Sequence, residues 1–550
     1  MTDHSTDRTP HGRPHQTLLL GGRIHAHGSP EATAMAVENG TIVWIGQDGP
    51  GRALHPAAET VDLDGAFVAP AFVDAHVHAT STGLHLTGLD LTGLRDGTEL
   101  LAALRTAAQP GHLLVAHGWD SSAWTDPRVP SRAEIDSATG GVPVYLSRVD
   151  VHSALISSAL AELAPGIRDA EGWSDDGPLT RTAHHLARGA MRDGLPTAQR
   201  RHAQEAFLRT AAARGIVSVH ECAGPDISGE QDLADLLDLA RDPALPEVVG
   251  YWGERGGAAT ARRLGVPGLA GDLFADGSLG SHTAALHAPY DDRPDTSGAA
   301  YLDPDGVAAH LTDCAGHGLQ AGFHVIGDAA VTAVVDGFRL AEQTLGHRAL
   351  VAGRHRLEHL EMVTSEQASE LARWGVTASM QPLFDALWGG TGGMYATRLG
   401  TNRAAGLNPF ATLASAGVAL AFGSDSPVTA LDPWAAIRAA VHHRTPGSGL
   451  SARGAFTAHT RGGHRAAGVH DGVTGTLRPG APAHYAVWET GELVAAGTDS
   501  RVRRWSTDPR SGVAPLPSLA PDAPLPVCVR TVRSGTVIHD RDTSTPRGHA

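Results

Sequence analysis

Histidine and aspartate residues stand at the ends of four apolar, strand-like segments of this chain. The first segment ends with His76 and His78, and because alternate residues of an extended chain point to the same side, both can face one metal ion. Later segments end with His324, His359 and Asp425. Among 32 histidines a single pair of this kind is weak evidence, so the prediction rests on the four segments together. Imidazole and carboxylate groups from several strand ends are typical of a catalytic metal site that keeps a position open for water.

The elements that must position these side chains follow from the hydrophobic pattern. Between about residues 65 and 470, strand-like runs alternate with Ala- and Leu-rich helical stretches, which predicts βα units and a parallel sheet. A closed (β/α)8 barrel of the TIM type needs eight strands. Nine runs qualify, so we expect at least one to lie in an insertion at about 80–210. The nine runs are 67–74, 113–117, 143–147, 216–220, 271–274, 320–324, 354–358, 377–381 and 419–423.

Both ends of the chain have a β texture. Short apolar runs separated by turns begin near residue 16, and Asn39-Gly40 between two such runs is a strong hairpin signal. Strand-like runs return after residue 484 and are separated by the turn Ser534-Gly535. The predicted fold class is therefore α/β, with residues 1–15 as a flexible tail, residues 16–64 and 471–550 as a composite β-sandwich, and residues 65–470 as the barrel.

Composition and charge argue against several classes of protein. Hydrophobic residues make up 41% and charged residues 19% of the chain, which is typical of a globular protein. The formal net charge of −16 disfavours nucleic acid as a partner, since phosphate binding needs clustered basic residues. No apolar run reaches 18 residues and the polar start lacks the apolar core of a secretory signal, so we expect no membrane span and a cytoplasmic location.

Taken in order, the segments resemble the amidohydrolase superfamily, and within it amidohydrolase family 3, which includes proteins like N-substituted formamide deformylase. The resemblance covers nearly the whole chain. It implies a barrel with a composite β-sandwich, metal ligands at His76, His78, His324 and His359, and Asp425 as the acid/base that handles the attacking water. It also implies a small-molecule substrate with an amide-type C–N bond. The matching segments are FVDAHVH at 72–78, RVDVHS at 148–153, DGSLGS at 276–281, FHVIGD at 323–328, LEH at 357–359, SMQP at 379–382 and GSD at 423–425.

The chain departs from that family pattern because it contains no lysine, so all 43 basic residues are arginine. Many binuclear members bridge their two metal ions with a carboxylated lysine, and Asp272 stands where we would align that lysine. We favour one tightly held ion, with Asp425 among its ligands. The alternative is that a carboxylate, Asp272 or Glu221, bridges two ions. Zinc is the expected metal, although iron and manganese bind the same ligand types.

The expected chemistry is metal-assisted hydrolysis. The ion lowers the pKa of water, Asp425 accepts the proton and later delivers it, and a histidine such as His324 helps to polarise the carbonyl. Isomerisation or dehydration at the same site, and a barrel that has lost catalysis and serves binding, are alternative functions. A homodimer is compatible with the sequence. The candidate substrate contacts, for which a salt bridge or a place in the core is the alternative, are Arg148, His152, Trp119 and Trp388.

Overall fold

The computed structural model describes residues 16–26, 28–149, 153–494 and 514–544. The predicted tail at 1–15 lies outside these ranges. Within them, no helix combines the length and the apolar character needed to cross a membrane.

Eight parallel strands follow one another around the central part of the chain. They pair in the orders β1-β2-β3 and β4-β5-β6-β7-β8, and a parallel bridge from Val77 to Ser426 links the end of β8 back to β1. The fold is therefore a (β/α)8 barrel, in which the carboxyl ends of all strands share one face. The strands are β1 Phe72–Val77, β2 Ile216–Ala223, β3 Glu247–Trp252, β4 Gly268–Leu269, β5 Gln320–Val325, β6 Arg356–His359, β7 Thr377–Met380 and β8 Ala419–Phe422.

Helices cover the outside of the barrel, which explains why its strands read as continuous apolar runs. All six residues of β1 are buried. The longest covering helix, Asp328–Leu345, buries Val331, Val334, Val335 and Phe338, which recur at the three- and four-residue spacing of one helix face. The main helices of the barrel are Ala79–Thr87, Thr197–Ala213, Glu230–Leu239, Ala258–Leu264, Pro304–His317, Asp328–Leu345, His347–Gly353, Ser365–Arg373, Pro382–Trp388, Met394–Ala404, Phe410–Ala416, Pro433–Val441 and Ala452–Thr457.

A separate four-stranded sheet lies between β1 and β2 in the sequence. Its strands are Leu89–Asp90, Leu114–Trp119, Val144–Arg148 and Ala154–Ile156, and the helices Gly97–Ala107, Arg132–Thr139, Ser158–Glu162 and Arg181–Asp193 accompany it. Two of the nine predicted strands belong to this sheet. Two barrel strands escaped the sequence prediction. One is β3, where the apolar run is short and interrupted by Gly250. The other is β4, which is Gly268–Leu269, whereas the run predicted at 271–274 forms no strand and makes one isolated bridge, from Phe274 to His324.

Strands from both ends of the chain form two further sheets. One has the order Thr41–Gly46, Ala34–Glu38, Gln16–Leu20, Glu59–Asp62, and the Asn39-Gly40 hairpin joins its first two strands with positive φ at both turn residues. The other has the order Arg23–Ile24, Phe67–Pro70, Tyr485–Glu489, Val527–Arg533, Thr536–Asp540, so it combines N- and C-terminal strands. A shared apolar core, including Met35, Val68 and Val532, lies between them.

The segment predicted as one strand at 67–74 is two strands in the structure. Phe67–Pro70 pairs with Tyr485–Glu489, whereas Phe72–Val77 is β1 of the barrel. The chain changes partner at one peptide, since the Ala71 N–H donates to His484 O and the Phe72 N–H donates to Gly215 O. Pro70, which has no N–H to donate to a strand partner, directly precedes this change of sheet and was the available signal in the sequence.

Candidate metal centre

Six ionisable side chains from five strand ends meet at the carboxyl face of the barrel. β1 and the residue that follows it supply two histidines, β5 and β6 supply one each, and the segments after β4 and β8 supply an aspartate each. All are buried or nearly so. The residues are His76, His78, Asp272, His324, His359 and Asp425.

Asp272 occupies the middle of this cluster. Its Oδ2 lies 3.2 Å from His78 Nε2, and its Oδ1 lies 3.6 Å from His76 Nε2. The same Oδ1 lies 3.4 Å from His324 Nδ1 and 4.0 Å from His359 Nε2. One carboxylate thus faces all four histidines.

Asp425 approaches the same histidines from β8. Its Oδ1 lies 3.2 Å from His78 Nε2 and 3.5 Å from His76 Nε2, and its backbone N–H donates to His76 O over 2.8 Å. The close approach of this loop to β1 requires glycine at position 423, because a Cβ there would lie 2.5 Å from His76 N. Local backbone packing therefore fixes the carboxylate beside the two histidines.

The nitrogen and oxygen atoms that face one another in this cluster fit a divalent cation as ligands. His76 Nε2, Asp272 Oδ1 and His324 Nδ1 are buried and have no hydrogen-bond partner, an arrangement that costs free energy unless another group satisfies them. Two ligand atoms bound tetrahedrally at about 2.0–2.2 Å lie roughly 3.4 Å apart. The separations from Asp272 Oδ1 to His76 and His324, 3.6 and 3.4 Å, are close to that value. Imidazole nitrogen and carboxylate oxygen together suit zinc, iron or manganese.

Outer partners orient the histidine rings. His76 Nδ1 lies 2.9 Å from Glu358 Oε2, and His359 Nδ1 lies 2.8 Å from Gln381 Oε1. His324 Nε2 lies 3.3 Å from Gly277 O. Each of these oxygens can accept a hydrogen bond from the outer ring nitrogen, so in the neutral form of each ring the lone pair of the inner nitrogen points into the cluster.

Below His76, Glu358 is paired with a fully buried arginine. Arg356 Nε donates to Glu358 Oε1 over 2.5 Å, Arg356 Nη2 donates to Ala75 O over 2.6 Å, and Arg356 Nη1 lies 3.1 Å from His220 Nδ1. Burial alone would raise the pKa of Glu358, but the charge of Arg356 and the hydrogen bond from His76 outweigh it and lower that pKa. Glu358 is therefore an ionised acceptor for His76.

The cluster concentrates negative charge that attracts protons or cations. Burial opposes the charged form of His78, but the carboxylates of Asp272 and Asp425 outweigh it and raise the pKa of His78 well above its ordinary value. Burial would likewise raise the pKa of Asp272, yet the surrounding histidines hold it well below the usual range. A metal ion binding here would displace protons, because imidazole ligates in its neutral form.

With this geometry in place, comparison with known proteins assigns the family. A model of the amidohydrolase family matches residues 59–539. The chain belongs to the amidohydrolase family.

Relatives of this amidohydrolase extend over most of its length. The protein LONG AFTER FAR-RED 3 of Arabidopsis thaliana is 27% identical over 528 residues, which are 88% of each chain. N-substituted formamide deformylase of Arthrobacter pascens is 22% identical over 454 residues, covering 74% of this chain and 80% of that protein. A metal-dependent hydrolase from Pyrococcus furiosus has a similar crystal structure, with a TM-score of 0.74, 26% identity, and coverage of 86% of this chain and 98% of the other. The chain is thus a metal-dependent hydrolase.

Not every residue predicted from the sequence lies among the ligand atoms of this amidohydrolase. Glu221 is buried at the end of β2, where its Oε2 accepts a hydrogen bond from the Ala79 N–H over 2.7 Å, and burial raises its pKa to about 7. Trp119 is fully buried in the core of the insertion, and its indole N–H donates to Leu146 O over 2.9 Å. Arg148 forms a salt bridge of 2.9 Å with Asp120 in the insertion. The structure places Trp119 in the core and gives Arg148 the salt bridge that was its alternative, while His152 lies outside the described residues.

Trp388 has a connection to the centre through aromatic rings. Its ring lies 4.6 Å from that of Phe384, and the Phe384 ring stacks on His359 at 5.9 Å with an interplanar angle of 8°. Trp388 itself is only partly buried. These ring contacts therefore link Trp388, through Phe384, to the predicted ligand His359.

Sequence reasoning missed the side chains that support the ligands. Glu358 and Gln381 orient histidines, and Asp276 accepts hydrogen bonds from the Ile326, Gly327 and Ala285 N–H groups, which ties the loops after β4 and β5 together. All three lie inside the segments that carry the family resemblance. A polar residue next to a strand-end histidine was the available signal, but pattern alone does not separate a ligand from its support.

Proposed function

We propose that this chain hydrolyses an amide-type C–N bond in a small molecule, with Asp425 as the general base and then the general acid. The observation that carries the proposal is the position of the buried Asp425 carboxylate, which lies 3.2 Å from His78 Nε2. Beside it are buried nitrogen and oxygen atoms that have no hydrogen-bond partner and that fit a divalent cation. A carboxylate beside the attacking water can take its proton and later give it to the leaving group. We take zinc as the first candidate metal.

The residues of the chain divide the work. A bound divalent cation supplies the acidity that makes water a nucleophile near neutral pH. His76, His78, His324 and His359 present neutral nitrogens to hold it, oriented by Glu358, Gln381 and Gly277 O. Asp425 accepts a proton from the attacking water as the C–O bond forms. It then gives that proton to the nitrogen as the C–N bond breaks.

Two observations support an amide as the substrate class. The match to the relative named N-substituted formamide deformylase covers 80% of that protein's length. Its name describes the removal of a formyl group from an N-substituted formamide. The aromatic pair Phe384 and Trp388, next to His359, offers an apolar surface for the substituent of such an amide. We therefore expect N-formyl and N-acyl compounds with apolar substituents to be turned over first.

The decisive experiment is a hydrolysis screen of N-formyl, N-acyl and cyclic amides with metal-loaded protein, repeated after removal of metal by a chelator. Asp425→Asn should keep the fold and most of the metal while lowering kcat/KM by about 10²–10⁴, the range of a lost proton-transfer group. Asp432→Asn is the matched control, because Asp432 caps the helix Pro433–Val441 and asparagine caps equally well.

Two outcomes would contradict the proposal. Full activity of Asp425→Asn would remove Asp425 from the proton transfer. A metal-loaded wild-type protein with no activity on any amide would reject the reaction class, leaving the family assignment intact.

A further inference from the structure

The helix Pro382–Trp388 carries the aromatic pair Phe384 and Trp388, but it cannot hold that position alone. It has only seven residues, and a helix of that length is marginal without tertiary contacts. The chain that follows it reads GGTGG at 389–393, so four of the next five residues are glycine and restrain the backbone little. Contacts with other parts of the fold must therefore set the position of the two rings.

Asp385, the residue after Phe384, joins this helix to a segment that is distant in the sequence. Its buried side chain accepts a hydrogen bond at Oδ2 from the Arg444 N–H over 2.7 Å. Its Oδ1 lies 3.4 Å from His443 Nε2. One carboxylate thus ties the helix to two consecutive residues that follow the helix Pro433–Val441.

The ring of His443 is held at both of its nitrogens. Nδ1 accepts a hydrogen bond from the Thr445 N–H over 2.9 Å, so in the neutral ring the proton is on Nε2. Nε2 lies 3.1 Å from Asn408 O in addition to its approach to Asp385. Asp385 therefore faces two N–H groups, one from the backbone and one from a ring, whose directions the fold has already set.

The end of the helix packs against the same carboxylate. The Gly389 N–H donates to Asp385 O over 2.8 Å, and a Cβ at position 389 would lie 2.4 Å from Asp385 Oδ1. A second link comes from the exposed side chain of Arg444, whose Nη2 donates to Ala386 O over 2.9 Å. The middle and the end of the helix are thus both fixed from the side of Asp385.

The rings that this helix carries are arranged for contact with another aromatic ring. Phe384 stacks on His359 at 5.9 Å and Trp388 lies 4.6 Å from Phe384, while Trp388 meets the ring of Tyr395 edge-on at 6.1 Å. Trp388 remains partly exposed, so it can accept a further ring. Contacts between aromatic rings depend strongly on distance and angle. A small movement of the helix should therefore weaken the binding of an aromatic substituent more than that of a methyl group.

We infer that Asp385 is a positioning residue, which fixes Phe384 and Trp388 beside the centre and thereby gives the enzyme a preference for amides with an aromatic N-substituent. The inference rests on the proposed function and names the substituent that the same site accepts. Asp385 acts through the backbone of its own helix and not on the reacting amide.

The test compares two substrates that differ only in the substituent, N-(2-phenylethyl)formamide and N-methylformamide, with the metal-loaded full chain. Asp385→Asn keeps the shape of the side chain but places an NH2 group against one of the two N–H donors. We expect KM for the phenylethyl compound to rise about 2–10-fold, the size of one aromatic contact, while KM for the methyl compound and kcat for both stay unchanged. Asp136→Asn is the matched control, because Asp136 accepts a hydrogen bond from the Ser158 N–H over 2.8 Å and ties two helices within the insertion. It should change neither KM.

A second substitution separates positioning from a general loss of structure. If Asp385 acts through the rings, Asp385→Asn should change the ratio of the two KM values much less in a Trp388→Ala background than in the wild type. Equal changes in both backgrounds, or an unchanged ratio in Asp385→Asn alone, would overturn the inference.

Two further outcomes are decisive. If Asp385→Asn does not fold by circular dichroism, Arg444→Ala decides, since it removes only the side-chain link to Ala386 O at the surface. It should shift the KM ratio in the same direction, and an unshifted ratio would contradict the inference. Wild-type protein that hydrolyses neither amide would overturn the proposed function together with the inference, whereas turnover of both with a ratio that Asp385 does not affect would overturn the inference alone.

Discussion

Substitutions in the buried pair of Arg356 and Glu358 beneath His76 should affect the stability of the protein and its metal affinity in different ways. Neither side chain is exposed, and two hydrogen bonds of 2.5 and 3.0 Å join them. Glu358 also accepts the hydrogen bond from His76 Nδ1. We therefore compare Glu358→Gln, Arg356→Met and the double variant.

The expected magnitudes follow from the burial. Each single variant leaves one buried charge without its partner, which should lower the free energy of unfolding by about 3–5 kcal/mol. The double variant has neither charge, so its loss should be clearly smaller than the sum, although Ala75 O also loses its donor. Metal affinity should behave differently. Glu358→Gln should lower it about 10–100-fold because His76 loses an ionised acceptor, and the double variant should not recover it.

Chemical denaturation of the metal-free protein measures the free energy of unfolding, and calorimetric titration with Zn²⁺ measures the metal affinity. Glu230→Gln serves as a control, since Glu230 pairs with Arg263 in equally good geometry at the surface and its loss should change stability little. If the double variant lost as much unfolding free energy as the two single variants together, the two charges would not compensate each other. Recovery of metal affinity in the double variant would refute the assigned role of Glu358.

Two further predictions concern residues outside the ligand set. Trp119→Ala should destabilise the protein by about 3–5 kcal/mol without changing its metal content, because Trp119 fills the core of the insertion. Trp388→Ala should instead raise KM for apolar N-acyl amides with little loss of stability. The reverse pattern would exchange the roles of the two tryptophans. Burial raises the pKa of Glu361 from 4.5 to about 7, so its contribution to stability is complete below pH 4.5 and is lost as the pH rises towards 7. By that shift, unfolding free energy should fall by about 3 kcal/mol over this range, and Glu361→Gln should remove this part of the pH dependence in chemical denaturation. An unchanged dependence in that variant would contradict the assignment.

The parts of the site that the sequence anticipated are those that follow from strand geometry. An apolar run that ends in His-x-His, or in a single His or Asp, places that residue at the carboxyl end of a barrel strand. The structure accordingly brings His76, His78, His324, His359 and Asp425 together. Nothing beyond alternation and position was needed, because parallel strands share one face for their carboxyl ends.

The features that escaped prediction depend on contacts between distant segments. The support of His76 by Glu358 joins residues 282 positions apart, and the change of sheet at Ala71 depends on partners near residues 484 and 215. Trp119 was a candidate substrate contact from the sequence, yet it ends an interior strand of the insertion. Local pattern does not encode such partners.

The position of Asp272 shows how local chain geometry makes a short side chain sufficient at the centre. The segment after β4 continues alongside β5, since the His324 N–H donates to Leu273 O and the Ala275 N–H donates to His324 O, both over 2.9 Å. Just before Asp272, Gly271 has φ of +77°, and a Cβ there would lie 2.9 Å from the Cys222 Cβ of β2. Only glycine allows this backbone to turn and approach β2 so closely. Because the hydrogen bonds to β5 set Asp272 beside His324 and the glycine lets its backbone move inward, a carboxylate on a single methylene group reaches histidines from β1, β5 and β6.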